Sequence, residues 1–237
     1  MSDKKIAKSL DLVYYYVKTP SDELKYSIRS ACENLNVNRI FLVGDKPSWF
    51  KESDRAIYVQ STINIGTNGL GSIPILHLAN LLKSGKCPDE FLLMNDDFFI
   101  MDKVENWVDY YRDEDDYAQK ARKNHSFHLR TLRSLTFVNN SDGHKYNLHA
   151  PMKIEKKNLI ILIKIWAALP KRDIDFRTFY GNMFTKSDVS IRDNKITTDD
   201  FQLSTFISTN DGAFSNLKVG KLIRERFNRP SFVEMVK

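Results

Sequence analysis

The fold is decided by residues 90–101, whose sequence is Glu90-Phe91-Leu92-Leu93-Met94-Asn95-Asp96-Asp97-Phe98-Phe99-Ile100-Met101. One apolar run leads into the polar residues and a second apolar run follows them, which predicts two short buried strands joined by an acidic turn. Carboxylates are rarely buried without a partner, so adjacent Asp96 and Asp97 indicate a hard cation such as Mg²⁺ or Mn²⁺. The alternative is an ordinary surface turn, for which Asn-Asp-Asp is equally suitable.

The residues before this stretch alternate between strand and helix patterns. Strands are predicted at 11–17, 39–44, 56–60 and 90–94, and helices at 22–35 and 72–84. This alternation predicts an α/β fold with a mostly parallel sheet flanked by helices. Ligands bind beyond the carboxyl ends of the strands in such sheets. We therefore expect the polar residues at the strand ends to meet at one edge and form a site; they are residues 17–19, 44–46 and 95–97.

The second half of the chain is less regular. Helices are predicted at 104–117, 155–169, 176–184 and 216–227, and a strand at 201–208 with a turn at 209–212. Pro151 disfavours a helical conformation at Ala150, so residues 146–152 are predicted to be extended. These patterns predict a helical C-terminal part.

The composition is that of one large globular domain. The chain has 237 residues, 42% of them hydrophobic, and contains two cysteines. With no bilayer-length apolar run, no transmembrane segment is expected, and the first residues lack the apolar stretch of a signal peptide. The low cysteine count predicts a reducing, cytoplasmic location.

The formal net charge is +6, which suits a polyanionic partner such as nucleic acid, an anionic membrane surface or a phosphate-bearing substrate. The densest basic stretch covers residues 119–133. Its alternative interpretation is a solvated helix face beside an acidic turn.

Four segments and the tail together resemble a known family. The chain resembles the GT-A class of nucleotide-sugar-dependent glycosyltransferases, and more narrowly the Stealth-type sugar and sugar-phosphate transferases and their short phage-encoded relatives. The segments are residues 22–30, 39–49, 91–99 and 146–152, with 208–211 and 230–234 in the tail. The chain departs from the larger members in its short length and in residues 66–74, which leaves the acceptor and the transferred group open.

The resemblance implies a GT-A-like domain with a nucleotide-sugar-binding core at residues 1–152. Residues 153–237 would then be the C-terminal part of the same domain, carrying the acceptor side and the closing helices. The implied activity is metal-dependent transfer of a hexosyl or pentosyl group from a nucleotide-diphosphate sugar, expected to be a UDP-sugar, to an acceptor hydroxyl.

Three functions follow for comparison. Short length, positive charge and the phage-like resemblance favour a hydroxymethylated pyrimidine in double-stranded phage DNA as the acceptor, with the protein acting in the host cytoplasm. The second function is sugar or sugar-phosphate transfer in surface polysaccharide synthesis. The third, of another class, is a non-catalytic nucleic-acid-binding protein, which has no use for the acidic pair.

The resemblance also implies roles for the acids. Asp97 would coordinate Mn²⁺ or Mg²⁺ together with His149, for which a structural hydrogen-bonded histidine is the alternative. Asp96 would bind the sugar hydroxyls, or the metal through water. Inversion needs a general base, for which Asp211 and Glu155 are the candidates, whereas retention of configuration needs none.

The donor is expected to lie across the edge formed by the first two strands. Tyr15, Val17, Lys18 and Asp45 would line it, with Asp45 bonding the base or ribose. Lys18 or Arg29 would bind a phosphate, although ordinary surface residues are the alternative for both. Asn95, which stands where the wider class often has its first acid, would contact the donor as well. The glycines of residues 66–71 match no phosphate-loop fingerprint, so a flexible loop is favoured there.

Overall fold

The computed structural model describes residues 9–64, 69–140, 142–170 and 172–235. Its central sheet has the strand order β3-β2-β1-β4-β7. The first four strands along the chain pair in parallel, and β7 joins the edge beside β4 in antiparallel orientation. Their bounds are Leu10–Tyr16 (β1), Val37–Gly44 (β2), Ala56–Gln60 (β3), Glu90–Met94 (β4) and Met152–Glu155 (β7).

Helices cover both faces of this sheet. They are Glu23–Asn34 (α1), Ile73–Lys83 (α2), Glu114–Lys123 (α3), His125–Phe137 (α4), Lys156–Ala168 (α5), Phe176–Phe184 (α6), Asp211–Asn216 (α7) and Lys218–Arg226 (α8). Leu24 and Ile28 of α1 join the core on one face, whereas Leu78 of α2, Leu162 of α5 and Phe179 of α6 join the core on the other. The predicted α/β fold with a mostly parallel sheet flanked by helices is therefore confirmed.

Two small sheets lie outside the central one. Phe98–Ile100 (β5) pairs antiparallel with Phe206–Ser208 (β9), and Tyr110–Arg112 (β6) pairs parallel with Val189–Ile191 (β8). The predicted second strand after the acidic turn is thus present. Its pairing with β9 brings the tail of the chain against residues 95–97.

The helix predicted at 104–117 is wrong over residues 104–113, which is nearly its first three turns. A helix begins only at Glu114, where the Asp113 side chain accepts a hydrogen bond from the backbone N–H of Asp116. That cap and the acids of the first turn favour a helix start at this point, because both complement the unpaired N–H groups there. Val104 and Trp107 pack on the core outside any helix.

The strand predicted at 201–208 forms only over its last three residues, because Asn194 binds the Gln202 carbonyl at 2.8 Å and the Ser204 hydroxyl at 2.9 Å. The turn predicted at 209–212 is the start of α7, whose first turn is capped by Asn210. Among the described parts of the chain, no helix combines the length and apolar character that a bilayer span requires.

Candidate functional site

The acidic turn lies where the order of strands along the sheet reverses. β1 is flanked by β2 on one side and β4 on the other, so the chain passes to opposite sides of β1. In open α/β sheets, the crevice at the carboxyl ends of two such strands is the usual ligand site. The Tyr15 hydroxyl, at the end of β1, donates a 2.9 Å hydrogen bond to Asn95 Oδ1 at the end of β4. The structure therefore brings these two predicted donor-site residues together at that crevice.

Asp97 is held by residues from the distant tail. Its Oδ2 accepts a 2.8 Å hydrogen bond from the Ser208 hydroxyl and lies 3.2 Å from the ammonium nitrogen of Lys195. Its Oδ1 is buried and has no hydrogen-bond partner within the described residues. A buried carboxylate oxygen without a donor is costly, so this atom offers an acceptor position to a ligand.

His149 lies at the end of a chain of charged side chains. Its Nδ1 and its backbone N–H each lie 2.7 Å from the Asp193 carboxylate, which also forms an ion pair with the buried Arg112. Burial alone would raise the pKa of Asp193, but the hydrogen bond from His149 and the charge of Arg112 lower it to about 2. Asp193 therefore stays ionised and orients the imidazole, and the other ring nitrogen, Nε2, lies 3.5 Å from Lys195 Nζ.

The predicted metal does not fit this arrangement. Asp97 and His149, the two predicted ligands, flank one position, and the ammonium group of Lys195 occupies it. A divalent cation and an ammonium group repel each other at such distances. Across the residues that the structure describes, no group of three or more His, Cys, Asp or Glu side chains is placed to hold a metal ion.

A second cluster of acids lies on the α1 and α7 side. Burial raises the pKa of Asp96 to about 7, and the charges of Asp97 and Asp211 add to this effect. Glu23 is also buried, accepts a hydrogen bond from the Thr209 hydroxyl, and has its pKa raised, first by burial and then by Asp211. The pKa of Asp96 therefore lies close to neutral pH, which suits a group that accepts a proton.

A cavity of about 390 Å³ opens beside the crevice. Asn95 and His149 line it on the sheet side, and Arg177, Lys120 and Arg130 line it as cations. Arg177 donates to Asn95 Oδ1 at 3.0 Å and to the Ala150 carbonyl at 2.8 Å. The cavity therefore places positive charge within reach of the acidic turn.

The remaining predicted donor contacts are distributed unevenly. The Lys18 backbone N–H donates to the Asp45 carboxylate at 2.7 Å, so these two residues meet, and Val17 beside them is 52% exposed. Arg29 instead forms a two-bond ion pair with Glu234, at 2.8 and 2.6 Å. It has a structural partner in this arrangement, and the phosphate role predicted for it has no support from its position.

Glu155 is wrong as a candidate base because it lies near the amino end of β4, whereas the acidic turn follows the carboxyl end. Its register partner is Glu90, the first residue of that strand. Five residue steps from Glu90 to Asn95 separate the two positions by about 16 Å. His144, a weaker metal candidate, stacks on Tyr111 with ring centroids 3.8 Å apart.

Several site residues were missed from the sequence. Lys195, Arg177 and Asp193 belong to no recognisable motif, and each reaches the site from a segment that is more than 40 residues from its partner. The one available signal was an indirect one, namely that the buried acids needed a positive partner.

Comparison with known proteins gives little further information. No family model and no curated protein matches the chain. Among solved structures, it is similar to the apo structure of the WbbM bifunctional glycosyltransferase, with 12% identity and a TM-score of 0.42 over 93% of this chain. The match covers 44% of that chain, so this protein spans less than half of its length. That likeness is too distant to indicate an activity.

Proposed function

We propose that this protein is a glycosyltransferase that moves a sugar from a nucleotide-diphosphate sugar to an acceptor hydroxyl. The observation that carries the proposal is the meeting of a half-buried acidic turn and a cation-lined cavity at the strand-order reversal. A sugar nucleotide presents hydroxyl donors at one end of its diphosphate and negative charge along it. The cavity of about 390 Å³ lies within the size range of small-molecule sites.

Each part of the site has a matching part of the donor. The unpartnered Oδ1 of Asp97 can accept a hydrogen bond from a sugar hydroxyl, which would remove the cost of its burial. Arg177, Lys120 and Arg130 carry the charge that a diphosphate requires. The hydrogen bond from Tyr15 to Asn95 holds these two residues of the cavity wall together.

In the reaction, the bond from the sugar's anomeric carbon to the diphosphate oxygen breaks, and that oxygen leaves with the electron pair. A new bond forms between the anomeric carbon and the acceptor oxygen, whose proton passes to a base. Asp96 is suited to that role if the reaction inverts configuration, because burial raises its pKa to about 7. The charge of nearby Asp211 adds to this rise in the Asp96 pKa.

For the acceptor, we propose the hydroxymethylated pyrimidine of DNA, supported by the net charge of +6. The C-terminal helix α8 contributes little to this charge for DNA, because Arg224 and Arg226 donate to the carbonyls of Phe214 and Met101. A polysaccharide acceptor is the alternative outcome of the same assay.

The test is donor turnover. The full chain is incubated with UDP-, GDP-, CDP- and dTDP-sugars, with and without hydroxymethylated DNA, and release of the nucleoside diphosphate is followed. We expect release with one donor class, and its stimulation by the modified DNA. Turnover stimulated by a polysaccharide acceptor instead would contradict the DNA proposal alone.

A matched pair of variants ties the activity to the site. Asp96→Asn should reduce turnover by about 100-fold or more, the scale of a lost general base. Asp89→Asn, just before the amino end of the same strand and 98% exposed, should leave turnover unchanged. If no donor is turned over and no nucleoside diphosphate binds, the proposal is refuted.

A further inference from the structure

We infer that the ammonium group of Lys195, rather than a divalent metal ion, supplies the positive charge that meets the donor's diphosphate beside Asp97 and His149. This inference rests on the proposed function and identifies how that site handles the charge of its leaving group.

The position of Lys195 is fixed by backbone pairing. On either side of it, the Ile196 N–H donates to the Ser208 carbonyl at 2.8 Å, and the Ser208 N–H donates to the Asn194 carbonyl at 2.9 Å. Ser208 also binds Asp97 through its side chain. The backbone of Lys195 is therefore attached to the strand whose Ser208 holds Asp97, and its ammonium group is held by the ion pair with Asp97.

The charged side chains around this lysine are paired with groups of opposite charge. Arg112 pairs with Asp193, Asp193 binds the His149 ring, and Lys195 lies between that ring and Asp97. Each anion has a cation beside it, so the cluster is balanced without a further ion. A divalent ion placed between Asp97 and His149 would have to displace the ammonium group and leave it without its carboxylate.

Lys195 lies next to a residue that lines the cavity. Its side chain is 29% exposed, and its Nζ lies 3.5 Å from Nε2 of His149, a residue that lines the cavity. Arg177, another cation, lines the same cavity. As the bond to the diphosphate breaks, negative charge grows on the leaving oxygens, and fixed cations near them stabilise it. The ammonium group acts by charge and hydrogen bonding, and it keeps its protons throughout.

The first measurement uses the unaltered protein. UDP, GDP, CDP and dTDP are titrated into the full chain by calorimetry, once with EDTA and once with Mn²⁺. We expect one of them to bind with the same affinity, within about threefold, in both buffers. Binding that disappears in EDTA and returns with Mn²⁺ would overturn the inference while leaving the proposed function intact.

The second measurement uses variants of the lysine. Lys195→Met should weaken nucleoside diphosphate binding in EDTA by about tenfold or more, whereas Lys195→Arg should retain most of it, because a hydrogen bond to a charged group is lost only in the first. Lys153→Met is the matched control, since Lys153 also pairs with a carboxylate, at 2.9 Å, but at the other edge of the sheet. Thermal unfolding confirms that each variant is folded.

The outcomes separate the two proposals. Unchanged affinity in Lys195→Met would overturn the role of the lysine alone. Mn²⁺ binding, measured by electron paramagnetic resonance without nucleotide, is expected to be absent in the unaltered protein. Specific Mn²⁺ binding there, abolished by Asp97→Asn, would also contradict it. No binding of any nucleoside diphosphate in either buffer would refute the proposed function itself.

Discussion

Asp193→Asn is expected to lower the free energy of unfolding by about 3 kcal/mol, because it removes the charge that compensates a buried arginine. The Arg112 side chain is 2% exposed and that of Asp193 is 5% exposed. The asparagine keeps the shape of the carboxylate but not its charge. Arg112 then retains Asp116 as an anionic neighbour, at 2.8 Å.

The magnitude follows from two independent considerations. The pKa of Asp193 falls from its ordinary value near 4 to about 2 on folding, which corresponds to about 2.5 kcal/mol of stability at neutral pH. Removing one partner of a buried pair typically costs about 3–5 kcal/mol. Because the folded-state pKa is lowered, this stability is complete above pH 4 and is lost as the pH falls toward 2.

Urea unfolding at pH 7 and at pH 3 measures the effect. With a slope of about 3 kcal/mol per molar urea, a loss of 3 kcal/mol moves the midpoint down by about 1 M at pH 7. At pH 3 the difference in urea midpoint between the unaltered protein and Asp193→Asn should be smaller. Asp116→Asn is the control, since it contacts the same Arg112 but is 23% exposed, and it should cost about 1 kcal/mol or less. Equal midpoint shifts in the two variants would refute the argument.

Three further predictions test other parts of the structure. Gly44→Ala should destabilise the protein by about 3 kcal/mol or more, because the Gly44 φ is +129° and an added Cβ would lie 2.0 Å from a backbone oxygen. Gly85→Ala is the comparison: its φ is +72° with open space around it, so it should cost about 1–2 kcal/mol. Equal shifts of the thermal unfolding midpoint in the two variants would contradict this explanation. Glu23→Gln should raise the free energy of unfolding at pH 8 and flatten its dependence on pH. Burial raises the Glu23 pKa to about 8, so the unaltered protein loses stability as the pH rises from about 5 to 8. A pH dependence unchanged by the substitution would contradict this origin. Arg29→Met should lower the free energy of unfolding by about 3 kcal/mol, because it leaves the Glu234 side chain, which is 6% exposed, without its cation. Nucleoside diphosphate affinity, measured by calorimetry, should not change. A large loss of affinity in a folded variant would restore the phosphate role predicted for Arg29.

The parts of the fold that follow from local pattern could be predicted from the sequence. The apolar run before Asn95 fills β4, and the run that begins at Phe98 forms β5. Both signals are contained within a few residues. The region at 104–113 could not be predicted in the same way, because its apolar residues are spaced irregularly and pack on a core assembled from distant segments. The start of α3 was detectable only from the capping geometry at Asp113.

The site divides along the same line. Strand ends of a parallel sheet meet at one edge whatever the connecting sequence, so the approach of Tyr15 to Asn95 followed from the strand order. The partners of the acids did not follow, because no rule of spacing relates Asp97 to Ser208, 111 residues later. Pairing of β5 with β9 creates that contact, and a three-residue strand carries too weak a sequence signal to reveal its partner.

The acidic turn illustrates how a correct physical requirement can lead to more than one structure. Two buried carboxylates in succession require nearby positive charge or raised pKa values, and this much is contained in the sequence. The structure meets the requirement in both ways: the pKa of Asp96 is raised to about 7, and Lys195, 98 residues along the chain, approaches Asp97 to 3.2 Å. When only the acidic pair is considered, a metal ion and a lysine compensate its negative charge equally well. They differ in what else they need, since a metal ion requires further ligands from the protein, from substrate phosphates or from water, whereas a lysine requires only a backbone that holds it in place. The paired backbone of residues 194–196 provides the second condition, and for that reason the lysine is the partner that this fold selects.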